Sequence, residues 1–175
     1  MKALGLDMDG VLYGWHEAVY EYLRLYRDYK GTFKELWSVD FKKFTEEDWE
    51  FLINIDILYT SRMPTPDCIK FLDYVKDKFE LYYITARPKY VKTTTEQYLR
   101  HYNFPSQDNL IFESDKVNTV RRLKIDYFID DLPKHLEGLS KVCDVIMIER
   151  PYNEKERELY KSSQTLLGTI KYLED

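Results

Sequence analysis

The chain is poor in the features that mark several classes of protein. It has only two cysteines in 175 residues, and Cys68 and Cys143 are far apart in sequence, so we expect reduced packing residues rather than a disulfide. No apolar run approaches the roughly 20 residues that span a bilayer. The first residues already have the pattern of a strand, so we expect no signal peptide and a cytoplasmic protein without membrane partners.

Clusters of positive charge are also missing. The 26 lysines and arginines are scattered among 31 acidic residues, and the formal net charge is -5. This distribution argues against a long nucleic-acid-binding surface but is compatible with a small anionic substrate held by a metal ion. Since the chain also lacks a Gly-rich phosphate loop of the Walker type and a Gly-x-Ser-x-Gly elbow, acidic side chains must perform the chemistry.

What the chain does have is an alternation of strand and helix patterns. Short apolar runs predict five strands, at residues 3–6, 81–85, 109–112, 125–129 and 142–148. Helical spacing and helix start signals predict helices at residues 68–78, 89–102, 115–123, 133–138 and 165–173. Such alternation indicates a parallel sheet with both faces covered, so we predict an α/β fold with a Rossmann-like core.

About fifty residues after the first strand contain no convincing strand. Residues 15–30 carry an apolar stripe at helical spacing that stops at Gly31, and Thr45 with the acids after it predicts a second helix that ends near Ile57. We therefore predict a small helical cap at residues 15–63, inserted into a core formed by residues 1–14 and 64–175.

Asp7 and Asp9 directly follow the first apolar strand, and Gly10 then lets the chain turn away. Because side chains alternate across a strand, both carboxylates leave on the same side. Two neighbouring carboxylates repel each other unless a cation lies between them or they share a proton. Ligands of open parallel sheets bind beyond the carboxyl ends of the strands, so the pair predicts a functional site rather than a solvated turn.

Three later positions bring polar groups to the same edge. Thr85 ends the second strand beside a helix start, where a hydroxyl and free N–H groups suit a phosphate oxygen. Lys116 follows the third strand at this edge, whereas Lys124 precedes the fourth strand and lies some 20 Å away, at the opposite edge. Asp130 ends the fourth strand and should bind a metal directly; Asp131 points to the other side and would act through water or orient a ligand.

The candidate metal ligands are all oxygen atoms. The three histidines, His16, His101 and His135, are scattered along the chain, and we expect them to be surface or packing residues. Oxygen ligands predict a hard cation, with Mg²⁺ the first choice. A carboxylate nucleophile, a second carboxylate, a phosphate clamp and Mg²⁺ together predict phosphoryl transfer through an aspartyl phosphate.

These motifs resemble those of the haloacid dehalogenase superfamily. They stand in the family's order and are Leu6-Asp-Met-Asp-Gly-Val-Leu12, Ile84-Thr-Ala-Arg87, Lys116 and Phe128-Ile-Asp-Asp131. The resemblance implies that Asp7 is the nucleophile and that Asp9 is the acid and base, whose backbone carbonyl also binds Mg²⁺. The implied metal ligands are Asp7, Asp9, Asp130 and Asp131. The implied phosphate-binding residues are Thr85, Ala86 and Lys116.

Within that superfamily the chain resembles the 5′(3′)-deoxyribonucleotidases. The likeness depends on the Asp-Met-Asp-Gly-Val-Leu motif, the Thr-Ala-Arg-Pro segment and Arg150-Pro-Tyr-Asn153. It implies a Mg²⁺-dependent phosphatase whose substrate is a nucleoside monophosphate, with cap aromatics around the base. Trp15, Phe44 and Trp49 are the candidates for that contact, although aromatic stripes are more often core. Arg87 is a candidate for contact with phosphate or sugar.

Two other functions stay open at this point. One is a 3′-phosphatase acting on nucleic-acid ends, since such domains share these motifs, but the acidic composition argues against it. The other is a phospho-accepting, receiver-like signalling module, which also combines Asp, Thr and Lys over a parallel sheet. Asp9 argues against the module, because it supplies a hydrolytic acid and base where a switch must keep its phosphate. Nothing in the sequence predicts an oligomeric state.

Overall fold

The computed structural model describes residues 1–173, so the last two residues of the predicted core lie outside the described part. A single six-stranded sheet forms the centre. Its strands are Lys2–Leu6 (β1), Phe79–Thr85 (β2), Leu110–Phe112 (β3), Tyr127–Asp130 (β4), Asp144–Ile148 (β5) and Lys161–Ser163 (β6). All neighbouring pairs are parallel, and the order is β3-β2-β1-β4-β5-β6. The predicted α/β class with a parallel sheet is confirmed.

Seven α-helices connect or flank the strands. They are Trp15–Tyr26 (α1), Phe33–Ser38 (α2), Glu46–Ile53 (α3), Cys68–Val75 (α4), Lys92–His101 (α5), Lys116–Leu123 (α6) and Pro133–Leu139 (α7). Short 3₁₀ segments cover Asp40–Lys43, Asp56–Tyr59, Lys89–Val91, Gln107–Asn109, Pro151–Glu156 and Leu167–Tyr172. Within the described residues, no helix combines the length and the hydropathy of a membrane span.

Several predicted helices are shorter or tighter than expected; α4, for example, ends at Val75 instead of residue 78. The first ends at Tyr26 instead of residue 30, because Asp28 adopts a positive φ of 54° that breaks the helical path. The second ends at Ile53, and the chain continues to Tyr59 as a separate 3₁₀ turn. The segment predicted as a closing helix is also 3₁₀, over Leu167–Tyr172.

Two elements were not predicted. The helix α2 begins with a capping box in which Thr32 accepts from the Glu35 backbone, while the Glu35 carboxylate accepts from the backbone of Thr32. That Thr-x-x-Glu pattern was a usable sequence signal. The strand β6 has only three residues and is mostly polar, so neither length nor alternation marks it.

Apolar side chains fill both faces of the sheet. Leu4 and Leu6 of β1 belong to one buried cluster, together with Phe71 of α4. Ala3 and Phe128 belong to the other cluster, under α6 and α7. Because both faces of β1 are covered, the strand is apolar from Ala3 to Leu6, and the acids begin only where it leaves the sheet.

The strand order reverses between β1 and β4, which lie side by side at the centre. Leu6 is in register with Ile129, and the Asp7 backbone N–H donates to the Ile129 carbonyl at 3.0 Å. The residues after these two strands therefore meet at the switch point of the sheet, where open parallel sheets bind ligands.

The chain leaves and re-enters this region at adjacent points. After β1 the Met8 carbonyl accepts from the backbone of Leu12 and Tyr13, at 2.9 and 2.8 Å. Tyr13 forms an isolated bridge with Pro64, and the Thr65 N–H donates to the Leu12 carbonyl at 3.0 Å. Residues 14–63 thus begin and end at one place, which is the geometry of an insertion; the division into core and cap stays a prediction.

Candidate active site

The ammonium group of Lys116 lies between two buried carboxylates. Its Nζ atom is 2.8 Å from Asp7 Oδ1 and 2.7 Å from Asp130 Oδ2. Asp7 and Asp130 come from the ends of β1 and β4, and Lys116 is the first residue of α6. Burial alone would lower the pKa of Lys116, but the two carboxylates outweigh it and raise that pKa. The structure thus brings together three residues that the sequence predicted for one edge.

Asp130 is the most firmly held acid of the group. Its Oδ1 atom accepts from the backbone N–H groups of Asp131 and Leu132 at 2.8 and 2.9 Å. Its Oδ2 atom lies 3.0 Å from Nδ1 of His135 in addition to Lys116. Burial opposes ionisation, but the lysine and the histidine hold the pKa of Asp130 below its usual range. It is therefore a carboxylate across the physiological pH range.

The expectation that all three histidines are surface or packing residues is wrong for His135. This residue lies in α7, which starts at Pro133 directly after the Asp130-Asp131 pair. Because α7 begins close to the end of β4, side chains in its first turn lie near the residues at that strand end. A histidine within one turn of a strand-end acid was therefore the signal that could have found it.

Asp7 differs from Asp130 in its electrostatics. Burial raises its pKa to about 6; Lys116 acts against this shift and the charge of Asp130 adds to it. Removal from water also strips a carboxylate of competing hydrogen bonds, which suits a nucleophile.

Asp131 points to the opposite side of the chain from Asp130, as strand alternation predicts. Its Oδ2 atom accepts a short hydrogen bond from the Tyr152 hydroxyl. Its Oδ1 atom is buried and has no partner among residues 1–173. Burial, together with the charges of Asp130 and Asp7, raises the pKa of Asp131 well above its usual value.

The segment after β5 closes this side of the site. Arg150 donates through Nε and Nη2 to the Gly10 carbonyl at 2.9 and 2.5 Å. Asn153 donates through Nδ2 to the carbonyls of Asp131 and Ile148 at 2.7 and 2.8 Å. The sequence motif Arg150-Pro-Tyr-Asn153 was noted only through a family resemblance; in the structure it ties the loops after β1, β4 and β5 together.

Thr85 and Asp9 lie on the other flank. The Thr85 hydroxyl accepts from the Arg87 backbone N–H at 3.2 Å, which leaves its own proton free to donate. The Asp9 carboxylate pairs with the Arg87 guanidinium, with Nη2 at 2.6 Å from Oδ1 and Nε at 2.9 Å from Oδ2. The Asp9 side chain therefore contacts Arg87 and is not part of the Asp7, Asp130 and Lys116 cluster.

The buried charges leave room for a cation. Oxygen atoms of Asp7 and Asp130 and a nitrogen of His135 lie within 4.8 Å of one another, a spacing that suits one ion. Two buried acids, Asp7 and Asp130, share the single ammonium of Lys116, and the buried Asp131 follows Asp130 on the other side of the chain. A buried excess of negative charge is costly unless it is compensated, and carboxylate oxygens favour a hard divalent ion. The donor set therefore fits Mg²⁺.

A cleft of about 310 Å³ opens above these residues. Its floor contains Asp7, Asp9, Thr85, Ala86, Arg87 and His135, and His16 and Leu132 complete the lining on this side. Its apolar wall contains Trp15, Trp49, Ile53, Tyr59 and Pro88. The structure thus brings two of the three predicted aromatic contacts to the cleft. Phe44 lies behind Trp49, at 5.3 Å between ring centroids, and lines a different pocket with Arg27 and Phe51.

Known proteins share both this sequence and this fold. A Bacillus cereus protein that is provisionally named a nucleotidase is 34% identical over 128 residues, which cover 70% of this chain and 67% of that protein. The 5′(3′)-deoxyribonucleotidase of Bacillus subtilis is 23% identical over 171 residues, or 91% of this chain and 92% of its own. A haloacid dehalogenase-type phosphatase structure from Thermococcus onnurineus shares the fold, with a TM-score of 0.64, 19% identity, and coverage of 99% of this chain and 98% of that one.

A magnesium-bound structure of the hydrolase YfnB from Bacillus subtilis also has this fold, with a TM-score of 0.67, 11% identity and coverage of 99% of both chains. Residues 1–166 match the family described as 5′ nucleotidase, deoxy (pyrimidine), cytosolic type C protein. The match includes every polar residue on the floor of the cleft. The chain has the fold of the haloacid dehalogenase-like hydrolases. It belongs to this nucleotidase family and is a phosphomonoesterase.

Proposed function

We propose that the protein is a Mg²⁺-dependent 5′-nucleotidase that hydrolyses deoxyribonucleoside monophosphates through an aspartyl phosphate on Asp7. The observation that supports this most directly is the Lys116 ammonium between Asp7 and Asp130 at the floor of an aromatic-walled cleft. This arrangement combines a buried nucleophile, a positive group for phosphoryl oxygens and space for a nucleoside.

Asp7 starts the reaction. One of its carboxylate oxygens attacks phosphorus, and the bond between phosphorus and the leaving oxygen breaks. Asp9 gives its proton to that oxygen, so the alcohol leaves neutral. Water then attacks the phosphorus of the aspartyl phosphate while the Asp9 carboxylate takes a proton from it. The bond from phosphorus to Asp7 breaks, and phosphate leaves with both acids restored.

The phosphoryl group needs positive partners during these steps. Lys116 is already at the Asp7 carboxylate, at 2.8 Å, so its ammonium also reaches an oxygen of a phosphorus atom bound there. The Thr85 hydroxyl has a free proton to donate, and the backbone of Ala86 lies beside it at the cleft floor. Donors fixed before the reaction stabilise charge that develops on the equatorial oxygens.

The divalent ion would be held by the carboxylates of Asp7 and Asp130 and by the Asp9 backbone carbonyl, with Asp131 assisting and His135 at hydrogen-bonding distance from Asp130. Bound there, it would reduce the repulsion between the anionic substrate and the anionic nucleophile.

The choice of a nucleotide rests on the cleft and on the relatives. Trp15, Trp49 and Tyr59 give the wall the flat apolar surface that a nucleobase stacks on. The matched family is described as acting on deoxy pyrimidine substrates, and the Bacillus subtilis relative is named for deoxyribonucleotides. A cytoplasmic location is inferred from the same family description.

A panel of ribonucleoside and deoxyribonucleoside monophosphates, assayed with Mg²⁺ for released phosphate, tests the proposal. We expect Asp7→Asn to abolish turnover while the circular dichroism spectrum stays native, and an acid quench of the wild type to trap phosphate on the protein. Asp73→Asn, which changes an exposed acid on α4, is the matched control. Turnover by Asp7→Asn at the wild-type rate would refute the assignment.

Two outcomes would favour the other functions. Hydrolysis of a 3′-phosphorylated oligonucleotide with no mononucleotide activity would favour a 3′-phosphatase of nucleic-acid ends. A long-lived phosphoprotein without turnover of para-nitrophenyl phosphate would favour a receiver-like module.

A further inference from the structure

Arg87 and Asp9 form a two-point ion pair at the edge of the cleft. The guanidinium donates from Nε and Nη2 to both carboxylate oxygens, at distances between 2.6 and 3.1 Å. The Arg87 side chain is 0% exposed, whereas that of Asp9 is 21% exposed. Arg87 lines the cleft as Asp9 does, but the carboxylate is the more accessible of the two groups.

Protein groups also occupy the other sides of the guanidinium. Its Nη1 atom donates to Thr95 Oγ1 at 3.1 Å. Its Cζ atom lies 5.0 Å from the ring centre of Tyr13 and 5.1 Å from that of Tyr59, within the range of cation–π attraction. All three nitrogens thus donate within the protein, so the position of Arg87 is fixed before any substrate arrives.

The pairing fixes the orientation of the Asp9 carboxylate but does not use all of its capacity to accept hydrogen bonds. Oδ1 accepts two of the three hydrogen bonds from Arg87 and Oδ2 accepts one. A carboxylate oxygen has about two accepting directions, so Oδ2 keeps one for the leaving oxygen or for water. A fork of two parallel bonds restricts rotation of the carboxylate far more than one bond does.

We propose that Arg87 is a positioning residue that orients Asp9 for proton transfer, rather than a contact for substrate phosphate or sugar. This role rests on the proposed function of Asp9 as acid and base. A mispositioned Asp9 slows the transfer of a proton to the leaving oxygen, and it also slows the attack of water on the aspartyl phosphate, which is the same step for every substrate. Release of the leaving group in the first turnover reports only the first of these effects. The loss in that release rate must therefore depend on how much the leaving group needs a proton.

Two substrates with different leaving groups test this dependence. In para-nitrophenyl phosphate the bond to phosphorus breaks to release a stable phenolate, which leaves without a proton. In a nucleoside 5′-monophosphate the leaving alkoxide must be protonated. We expect Arg87→Met to slow release of the nucleoside in the first turnover by on the order of 100-fold, as removal of general-acid assistance does, and to slow first-turnover release of para-nitrophenolate by less than about 3-fold.

Further variants separate the possible reasons for a loss. Arg87→Lys keeps the charge but cannot form the two-point pair, so we expect an intermediate loss with the same substrate dependence; it also replaces Arg87→Met if that variant does not fold. Arg62→Met removes an arginine whose partner is Glu21, outside the cleft floor, and should leave both rates unchanged. The double variant with Asp9→Asn should be no slower than Asp9→Asn alone.

Each result has one reading. Equal losses on the two substrates, or a higher KM for the nucleotide at unchanged kcat, would overturn the positioning role and make Arg87 a structural or substrate-binding residue. If Asp9→Asn slowed first-turnover release equally for both substrates, the proposed acid function of Asp9 would fail. If Asp9→Asn showed the selective loss and Arg87→Met did not, only the role of Arg87 would fail.

Discussion

Gly10 lies directly against the carboxylate of Asp131. A Cβ atom built on Gly10 would overlap the side-chain oxygens of Asp131, and the glycine has a φ of 83°, which other residues rarely adopt. We expect Gly10→Ala to lower the free energy of unfolding by about 2 kcal/mol, from backbone strain and steric overlap, and to reduce activity because Asp131 must move. Thermal unfolding and nucleotide turnover measure both effects.

Gly31→Ala is the matched control for that change. A Cβ there would overlap the hydroxyl, Cζ and Cε1 atoms of Tyr29, whose hydroxyl donates to Asp40, but Gly31 has no positive φ. We expect a smaller fall in the melting temperature than for Gly10→Ala, because Gly31→Ala adds no backbone strain. Equal shifts in the two variants would show that the contact between Gly10 and Asp131 has no special cost.

Lys116 is the charge partner of both Asp7 and Asp130, so its removal leaves two buried carboxylates facing each other. Lys116→Met should destabilise the metal-free protein by about 3–5 kcal/mol, the typical cost of breaking a buried ion pair. Because a divalent ion would then be the remaining compensation, Mg²⁺ should raise the melting temperature of the variant more than that of the wild type. The effect is measured by thermal unfolding with Mg²⁺ and with a chelator.

Lys76→Met controls for loss of a lysine, since Lys76 pairs with Asp73 on the exposed side of α4. Its response to Mg²⁺ should equal that of the wild type. An identical response in Lys116→Met would contradict a metal site between the two acids.

His16 is buried against aromatic rings, with centroids 4.7 Å from Trp37 and 4.6 Å from Tyr152. Burial, with the nearby charge of Arg150, lowers the pKa of His16 from 6.5 to about 3. Below pH 6.5, His16 therefore binds a proton in the unfolded chain but stays neutral in the folded protein until the pH approaches 3. The stability that His16 contributes is present above pH 6.5 and is lost as the pH falls from there toward 3.

We expect His16→Asn to cancel this loss. Between pH 7 and pH 5 the free energy of unfolding of the wild type should fall by about 2 kcal/mol more than that of the variant. Acids present in both proteins cancel in the difference. Urea unfolding at several pH values measures it, with Trp37→Phe as the control that alters the same packing but no titratable group. Parallel pH curves for wild type and His16→Asn would contradict the assigned shift.

Trp49 and Phe44 differ in their relation to the cleft although their rings touch. Trp49 lines the cleft, and Phe44 lies behind it. Because base stacking on an aromatic ring contributes about 1–3 kcal/mol, we expect Trp49→Ala to raise KM for nucleotides by on the order of 10-fold. Phe44→Ala should raise it much less. A larger effect of Phe44→Ala would place the base on the other side of Trp49.

Five of the strands and the edge of the sheet that carries the candidate site were predictable from the sequence because they depend on local patterns, whereas the strand order was not predicted. An apolar run that ends in acids, as at Asp7 and at Asp130, marks both a strand and the edge at which it ends. The choice of Lys116 over Lys124 as the lysine of the site depended only on the direction of the parallel strands, which places Lys116 at the carboxyl edge and Lys124 at the opposite edge. These inferences use the period of two and the rise per residue, which are the same in every sheet.

The partners of the acids were not predictable in the same way. Asp9 and Arg87 are 78 residues apart, and the rotamers that join them depend on the packed rings of Tyr13 and Tyr59. Tyr152 reaches Asp131 only because the turn after β5 folds back over Gly10. Such contacts arise from tertiary packing between distant residues, so they cannot be predicted from a short stretch of sequence.

The bridges at Tyr13 have a consequence for how this enzyme could change its substrate. The bridge to Pro64 and the bond from Thr65 to Leu12 join the two ends of the intervening fifty residues. Because these two ends lie side by side, a segment of different sequence could leave and rejoin the sheet at the same point, provided that it replaced the buried core contacts of Trp15 and Trp37. Changes in this segment would alter the apolar wall of the cleft, to which Trp15 and Trp49 belong, and leave the residues at the strand ends as they are.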